Sequence, residues 1–206
     1  MIYPETVSPE LFEVFESFSS ESAFDGFLLG GGTSLALRFG HRKSIDLDFF
    51  SVSPFDSQQI EITLGHLFTE VEVVNRTAGS LCAVINKCKL DILHHAYPLL
   101  RAPVVFKGFR FLSIPDLAAM KINAVVNRGS KKDFIDLLLL HENGFPLEKS
   151  LDFFSEKYGD AGRFLAVRSL AWFEDAESEP DPLILNGWIW DDVRRRIEAL
   201  VKALNR

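Results

Sequence analysis

The sequence predicts an α+β protein, α/β-like in its first part, with a small mixed β-sheet, flanking helices and a C-terminal helical bundle. Two observations carry this. A hydrophobic run at 24–29 stops at Gly30-Gly31-Gly32, and a short helical segment then leads into a second hydrophobic run at 45–51. Short apolar segments bounded by turn residues continue to Leu112, whereas from Ile114 onward apolar residues recur at helical spacing. The change of period divides the chain into a sheet-forming domain at 1–113 and a helical subdomain at 114–206.

The elements follow in order. Residues 8–20 open with Ser8 as N-cap and Pro9 at the first helical position, and Leu11, Val14, Phe15 and Phe18 share one face. Residues 24–29 read as a buried strand. Thr33 or Ser34 caps a short helix through about Phe39, a basic loop spans 40–43, and 45–51 is a second strand. Asp56 begins a helix through Phe68 with Ile60, Leu64, Leu67 and Phe68 inward. Residues 70–75, 81–86 and 89–93 read as three short strands, and Lys107-Gly108 joins 104–106 to 109–112 as a hairpin. Helices are expected at 115–127, 132–143 (ended by Gly144), 146–158, 161–174 and 191–206. The acidic, proline-bearing stretch at 174–182 reads as a mobile loop.

With 206 residues, 47% of them apolar and 19 of them Phe, the chain can bury a proper core. No run approaches the roughly 18 apolar residues of a membrane span, and the acidic N-terminus lacks the basic region of a signal peptide. A cytoplasmic protein with no membrane partner is therefore expected. Cys82 and Cys88, six apart with no supporting Cys/His set, read as reduced thiols. The net charge of −7 argues against a broad basic surface tracking a nucleic-acid backbone. It leaves room for a local basic cleft built from Arg38, His41, Arg42 and Lys43. The exposed-looking Trp172, Trp188 and Trp190 read as packing of the C-terminal bundle ahead of an interface.

The chemistry-bearing residues begin with Asp46 and Asp48. Residues two apart on a strand face the same side, and two carboxylates there repel unless a cation or hydrogen bonds compensate. Hard carboxylate oxygens suit Mg²⁺ or Mn²⁺ holding substrate phosphates. The preceding glycines allow close backbone approach, the helix that follows offers free N–H groups to an anion, and Ser34 can add a hydroxyl. No Gly-Lys-Ser/Thr follows, so this is not a Walker A loop. Asp91, between Leu90 and Ile92, could bring a third carboxylate beside the pair, to ligate metal or deprotonate an attacking hydroxyl. Lys121 lies in an apolar helical face, either snorkelling or reaching a phosphate. Asp133 and Asp136 are i, i+3 neighbours at the start of the next helix, beside Lys132.

Taken together, Gly31-Gly32-Thr33-Ser34-Leu35, the Arg42-x-Ser44-x-Asp46-x-Asp48-Phe49 run, Lys121 with Ala124, Arg128, and Lys132-Asp133-x-x-Asp136-Leu137 resemble the AbiEii/AbiGii toxin-type nucleotidyltransferases, within the DNA polymerase β-like superfamily. The resemblance spans about residues 26–140. It implies a nucleotidyltransferase core at 1–113 and a helical subdomain at 114–206 completing the active-site cleft. The implied reaction moves a nucleoside monophosphate from an NTP to a hydroxyl acceptor such as tRNA, in a toxin–antitoxin or phage-defence system with a possible cognate antitoxin. Gly31, Gly32, Thr33, Ser34, Arg42 and Lys132 would hold the nucleotide. Asp46, Asp48 and Asp91 would bind Mg²⁺ or Mn²⁺, Lys121 would neutralise phosphate charge, and Asp133 would fill the acidic position of the last motif. Two other readings stay open: an antibiotic-type enzyme modifying a small cationic acceptor, and a degenerate domain that only binds nucleotide or a partner.

Overall fold

A computed structural model of the chain describes residues 1–204; Asn205 and Arg206, the expected end of the last helix, lie outside the described residues. The chain folds as two compact units, Met1–Pro98 with Ala102–Leu112, and Leu99–Arg101 with the chain from Ser113 onward.

In the first unit, α1 (Pro9–Ser20) begins where its cap requires, with Ser8 Oγ accepting from the Leu11 N–H at 3.1 Å. β1 is only Leu28–Leu29, shorter than the run at 24–29 suggests. The reason lies upstream: Ser22–Phe24 form a 3₁₀ turn that stacks Phe24 on Phe18 at 4.0 Å, leaving two residues to extend. α2 (Gly31–Phe39) starts earlier than Thr33, taking two glycines into its first turn. β2 (Asp46–Ser51) follows, then α3 (Ser57–Leu67), capped by Asp56 Oδ1 on the N–H groups of Gln58 and Gln59. β3 (Val71–Thr77), β4 (Ser80–Ile85) and β5 (Cys88–His94) form a meander. β6 (Val104–Phe106) and β7 (Phe109–Phe111) form a hairpin in which Lys107 and Gly108 both take positive φ, 52° and 85°, as a type I′ turn requires.

Among the described residues these strands make one seven-stranded sheet, ordered β3-β4-β5-β2-β1-β7-β6. It is mixed: β2 runs parallel to β5 and antiparallel to β1, which is parallel to β7. Side chains alternate strictly along β2 and β5. Leu47, Phe49, Leu90 and Ile92 are buried, with Phe15 and Phe18 of α1 stacked on Phe49 at 6.3 and 3.9 Å. Each such buried side chain contributes about 1.5–3 kcal/mol. The alternate residues, Asp46, Asp48 and Asp91, therefore face away from α1 and are half-buried.

The second unit is helical: α4 (Ile114–Asn127), α5 (Lys131–Glu142), α6 (Leu147–Tyr158), α7 (Arg163–Ser169), α8 (Glu174–Glu177) and α9 (Trp190–Leu204). Its core contains Ile122, Phe134, Leu138, Leu151, Trp190, Val193 and Ile197. The single helix expected at 161–174 is broken after Ser169, and Phe173 turns inward to meet the rings of Phe134 and Trp190 at 4.9 and 6.2 Å. Trp190 is buried and Trp188 packs against this core, but Trp172 is 56% exposed. The acidic stretch expected to be a mobile loop is anchored. Glu179 Oε2 accepts from Ser130 Oγ and from the Lys131 N–H at 2.7 and 2.9 Å, and Asp181 pairs with Lys131 Nζ at 2.7 Å. Asp116 and Lys157, both fully buried, pair at 2.8 Å, and Asp116 also accepts from the N–H groups of Leu100 and Arg101. That bond set holds 99–101 to the helices. No helix of the described residues is long and apolar enough to cross a membrane. Cys82 and Cys88 carry free thiols.

Candidate active site

The sheet register assembles the acidic face. Asp48 stands directly opposite Asp91 across the parallel β2–β5 ladder, and Asp46 stands opposite Lys89. Ladder partners point to the same side, so the three carboxylates share one face. Lys89 Nζ lies 2.6 Å from Asp91 Oδ2, and this bond, with the charges of Asp91 and Asp46, raises the Lys89 ammonium above its ordinary value. Cys82, the antiparallel partner of Asp91 on β4, completes this patch. The Asp91 hydrogen bond and burial push the Cys82 thiol up.

The glycine turn lies against the same face. Gly31 has φ +61°, and a Cβ built on it would fall 2.0 Å from Asp48 Oδ2. The Gly30 N–H donates to the Asp48 carbonyl at 2.8 Å, tying the turn to the strand. The next helical bond is Ser34 N–H to Gly30 O at 3.1 Å, so the N–H groups of Gly31, Gly32 and Thr33 form the open N-terminus of α2. Gly30 has no side chain with which to cap them. Ser34 Oγ is buried without a hydrogen-bond partner among the described residues, a costly condition that an incoming oxygen would relieve.

Several expected site residues are buried and tied into the scaffold. Thr33 is fully buried, its hydroxyl donating to the Asp46 carbonyl and sharing a hydrogen bond with Ser44 Oγ at 2.7 Å. What it offers a ligand is its backbone N–H, while its side chain positions β2. Arg42, expected at the nucleotide, is 2% exposed and donates to the Lys43 carbonyl at 2.9 Å. The expected basic cleft at 38–43 is dispersed. His41 is buried like Arg42, Arg38 donates to the Leu112 carbonyl at 3.1 Å, and Lys43 donates to the Glu5 carbonyl. Burial holds the Arg38 guanidinium below its usual value.

Asp46, Asp48 and Asp91, the three carboxylates expected to hold a metal ion, share this face without closing around one point. Among the described residues no group of three or more His, Cys, Asp or Glu side chains gathers to hold a metal ion, and one oxygen of Asp91 is taken by Lys89. The two hard carboxylates Asp46 and Asp48, with Asp48 laid against the glycine cradle, suit a divalent cation whose remaining ligands come from phosphate or water. The Lys89-x-Asp91 alternation, two residues apart on one strand, was the available signal for this pairing.

In the helical unit, Lys121, Asp133 and Asp136 form a buried cluster. Lys121 is 4% exposed, with Nζ 2.9 Å from Asp133 Oδ1 and 2.7 Å from Asp136 Oδ2. Arg128 adds a bidentate pair, Nε and Nη2 at 2.8 and 2.9 Å from the Asp133 oxygens. Burial pushes the Asp133 carboxyl up, but Lys121 and Arg128 outweigh it and hold the group below its ordinary range. Lys132 is half-buried in the first turn of α5.

A relative from Aquifex aeolicus (strain VF5), the uncharacterized protein aq_aa25, is 35% identical over 172 residues, covering 81% of this chain and 83% of its own. The fold is similar to that of JHP933 from Helicobacter pylori, with a TM-score of 0.60 at 16% identity over 99% of this chain and 93% of that one. It is also similar to MenT4, a nucleotidyltransferase toxin from Mycobacterium tuberculosis H37Rv, with a TM-score of 0.56 at 14% identity over 93% and 83% of the two chains. Residues 14–81 and 87–204 match the family described as nucleotidyl transferase AbiEii toxin, type IV TA system. The chain belongs to that toxin family and is a nucleotidyltransferase.

Proposed function

We propose that this protein transfers a nucleoside monophosphate from an NTP to a hydroxyl acceptor, as the toxin of a two-gene toxin–antitoxin pair with a cognate antitoxin protein. The observation that carries the reading is the contact of the Asp48 carboxylate with the Gly31 backbone, on a face shared with Asp46 and Asp91. A phosphate bound at the N-terminus of α2 would meet the N–H groups of Gly31, Gly32 and Thr33, and the Ser34 hydroxyl would gain the partner it lacks. Asp46 and Asp48 would hold Mg²⁺ or Mn²⁺, which when bound neutralises charge on the phosphate oxygens. Asp91 would accept the proton of the attacking hydroxyl. The acceptor oxygen bonds to the α-phosphorus, the bond to the β-phosphate bridging oxygen breaks, and pyrophosphate leaves with that electron pair. Lys89 keeps Asp91 oriented. Lys121, Lys132 and Asp133 are assigned by resemblance to phosphate neutralisation and support.

The test incubates purified protein with each α-labelled NTP, Mg²⁺ and, in separate arms, total tRNA, the protein alone or small hydroxylated acceptors. Label on one acceptor class is expected, and Asp48→Asn abolishes it while preserving the circular dichroism spectrum and melting profile. Unchanged incorporation by Asp48→Asn refutes the assignment.

A further inference from the structure

A cavity of about 350 Å³ lies wholly within the helical unit, lined by the end of α4 (Val125, Asn127) and the turn after it (Arg128, Gly129), by Leu165 and Arg168 of α7, by Trp172 and by Asp175. Its size falls at the low end of small-molecule sites, about 300–1,000 Å³, and suits one nucleotide rather than a duplex. The chemistry of the lining is mixed. Trp172 is 56% exposed and Leu165 is 55% exposed, although the two neighbouring aromatics, Phe173 and Trp190, turn into the core. Arg168, across the same lining, lies 5.8 Å from the Phe164 ring, and no carboxylate pairs with it among the described residues. Arg128 is 54% exposed while its Nε and Nη2 hold Asp133. Asn127 and Asp175 supply an amide and a carboxylate at the rim.

We infer that this cavity binds a nucleobase together with its attached phosphate. An exposed indole face stacks any base, a guanidinium takes the phosphate, and an amide and a carboxylate can meet the donors and acceptors of a base edge. A purely aliphatic ligand would leave the guanidinium groups and the carboxylate unused, and a bare anion would leave the indole unused. The same chemistry comes from two sources, a free nucleotide or an unpaired nucleotide of an RNA strand. Binding here does not require the transfer chemistry proposed above.

The experiment measures Trp fluorescence quenching and anisotropy with AMP, CMP, GMP and UMP, and separately with a short unstructured oligoribonucleotide, on the full chain. Trp172→Ala is expected to weaken binding about tenfold or more, and Trp172→Phe to restore most of it. Arg168→Ala should weaken binding and reduce the salt dependence by about one unit of slope. Both positions are exposed, so the melting temperatures should match the parent chain. Effects on the mononucleotides identify a free-nucleotide site, and effects confined to the oligonucleotide identify a strand-binding site. The part of the quenching that Trp172→Ala removes should be the same in parent and Asp48→Asn, which separates this site from the nucleotide held at the transfer site. Equal binding by parent, Trp172→Ala and Arg168→Ala, or no binding of any probe at millimolar concentration, overturns the inference.

Discussion

The Asp48 carboxylate occupies the space a side chain at position 31 would need: a Cβ on Gly31 would stand 2.0 Å from Asp48 Oδ2. Glycine is thus required twice, for its φ of +61° and for this close approach. Gly31→Ala should therefore separate activity from stability. The left-handed backbone costs about 1–2 kcal/mol, a drop in Tm of roughly 2–8 °C for a chain of this size. Moving the carboxylate should cost about a hundredfold or more in turnover, since misplacing a reacting group by an ångström has that effect. Gly26→Ala, where a Cβ meets nothing within 4 Å, is the control and should change neither quantity. A Gly31→Ala protein that melts a few degrees lower yet turns over normally would remove Asp48 from the chemistry.

How far the sequence carries can be judged from particular residues. The two-residue alternation fixed which face of β2 holds Asp46 and Asp48, because period 2 is a property of the backbone itself. Asp91 could be suspected as their companion, but its register opposite Asp48 depends on long-range ladder pairing that no local pattern encodes. Arg42 and Thr33 were expected at the nucleotide because they fall within the motifs that carry the family resemblance. Their burial, 2% and 0% exposed, follows from tertiary packing that no local pattern encodes. The acidic stretch at 174–182 looked mobile by composition. It is anchored because its carboxylates find Ser130, Lys131 and Trp190, partners 13 to 50 positions away in the chain. Trp172 and Trp190 were indistinguishable by residue type, and only the packing of Trp190 against Phe134 and Phe173 decides which is buried.

The Lys121 cluster sets a structural role against the role implied by resemblance. With Asp133 and Asp136 both fully buried, Lys121→Met leaves two carboxylates short of a cation, and breaking such a buried pair costs about 3–5 kcal/mol. Tm should fall by roughly ten degrees. Loss of labelled-NTP transfer with an unchanged Tm would instead locate the lysine's work at the phosphate. The pH dependence has a definite sign. Asp133 and Asp116 both have carboxyls held below the ordinary value of 3.8, against the burial that pushes them up. A depressed folded-state pKa contributes stability that is fully present above the unfolded value and is lost as pH falls through the folded one. The Tm difference between the parent chain and Asp133→Asn should therefore be constant from about pH 7 to pH 5 and shrink below about pH 4. A difference that persists unchanged into acid would contradict the ionised pairing.

Glu179 does the work of a helix cap from 48 residues away. Ser130 is the N-cap of α5, yet its hydroxyl makes no capping bond and instead donates to Glu179 Oε2, which also accepts the Lys131 N–H. A carboxylate at that N-terminus satisfies an otherwise open donor and interacts favourably with the helix dipole. Glu179→Ala should cost about 1–2 kcal/mol, lowering Tm by roughly 2–8 °C, and should loosen the segment, which Asp181 on Lys131 and Glu177 on Trp190 then hold. Limited proteolysis with subtilisin should cut within 174–182 markedly faster in this variant. Glu174→Ala, at an exposed position of the same stretch, should melt and cleave like the parent chain. Equal cleavage of both variants would show that the acidic segment is held by its own short helix rather than by the Glu179 bonds to Ser130 and Lys131.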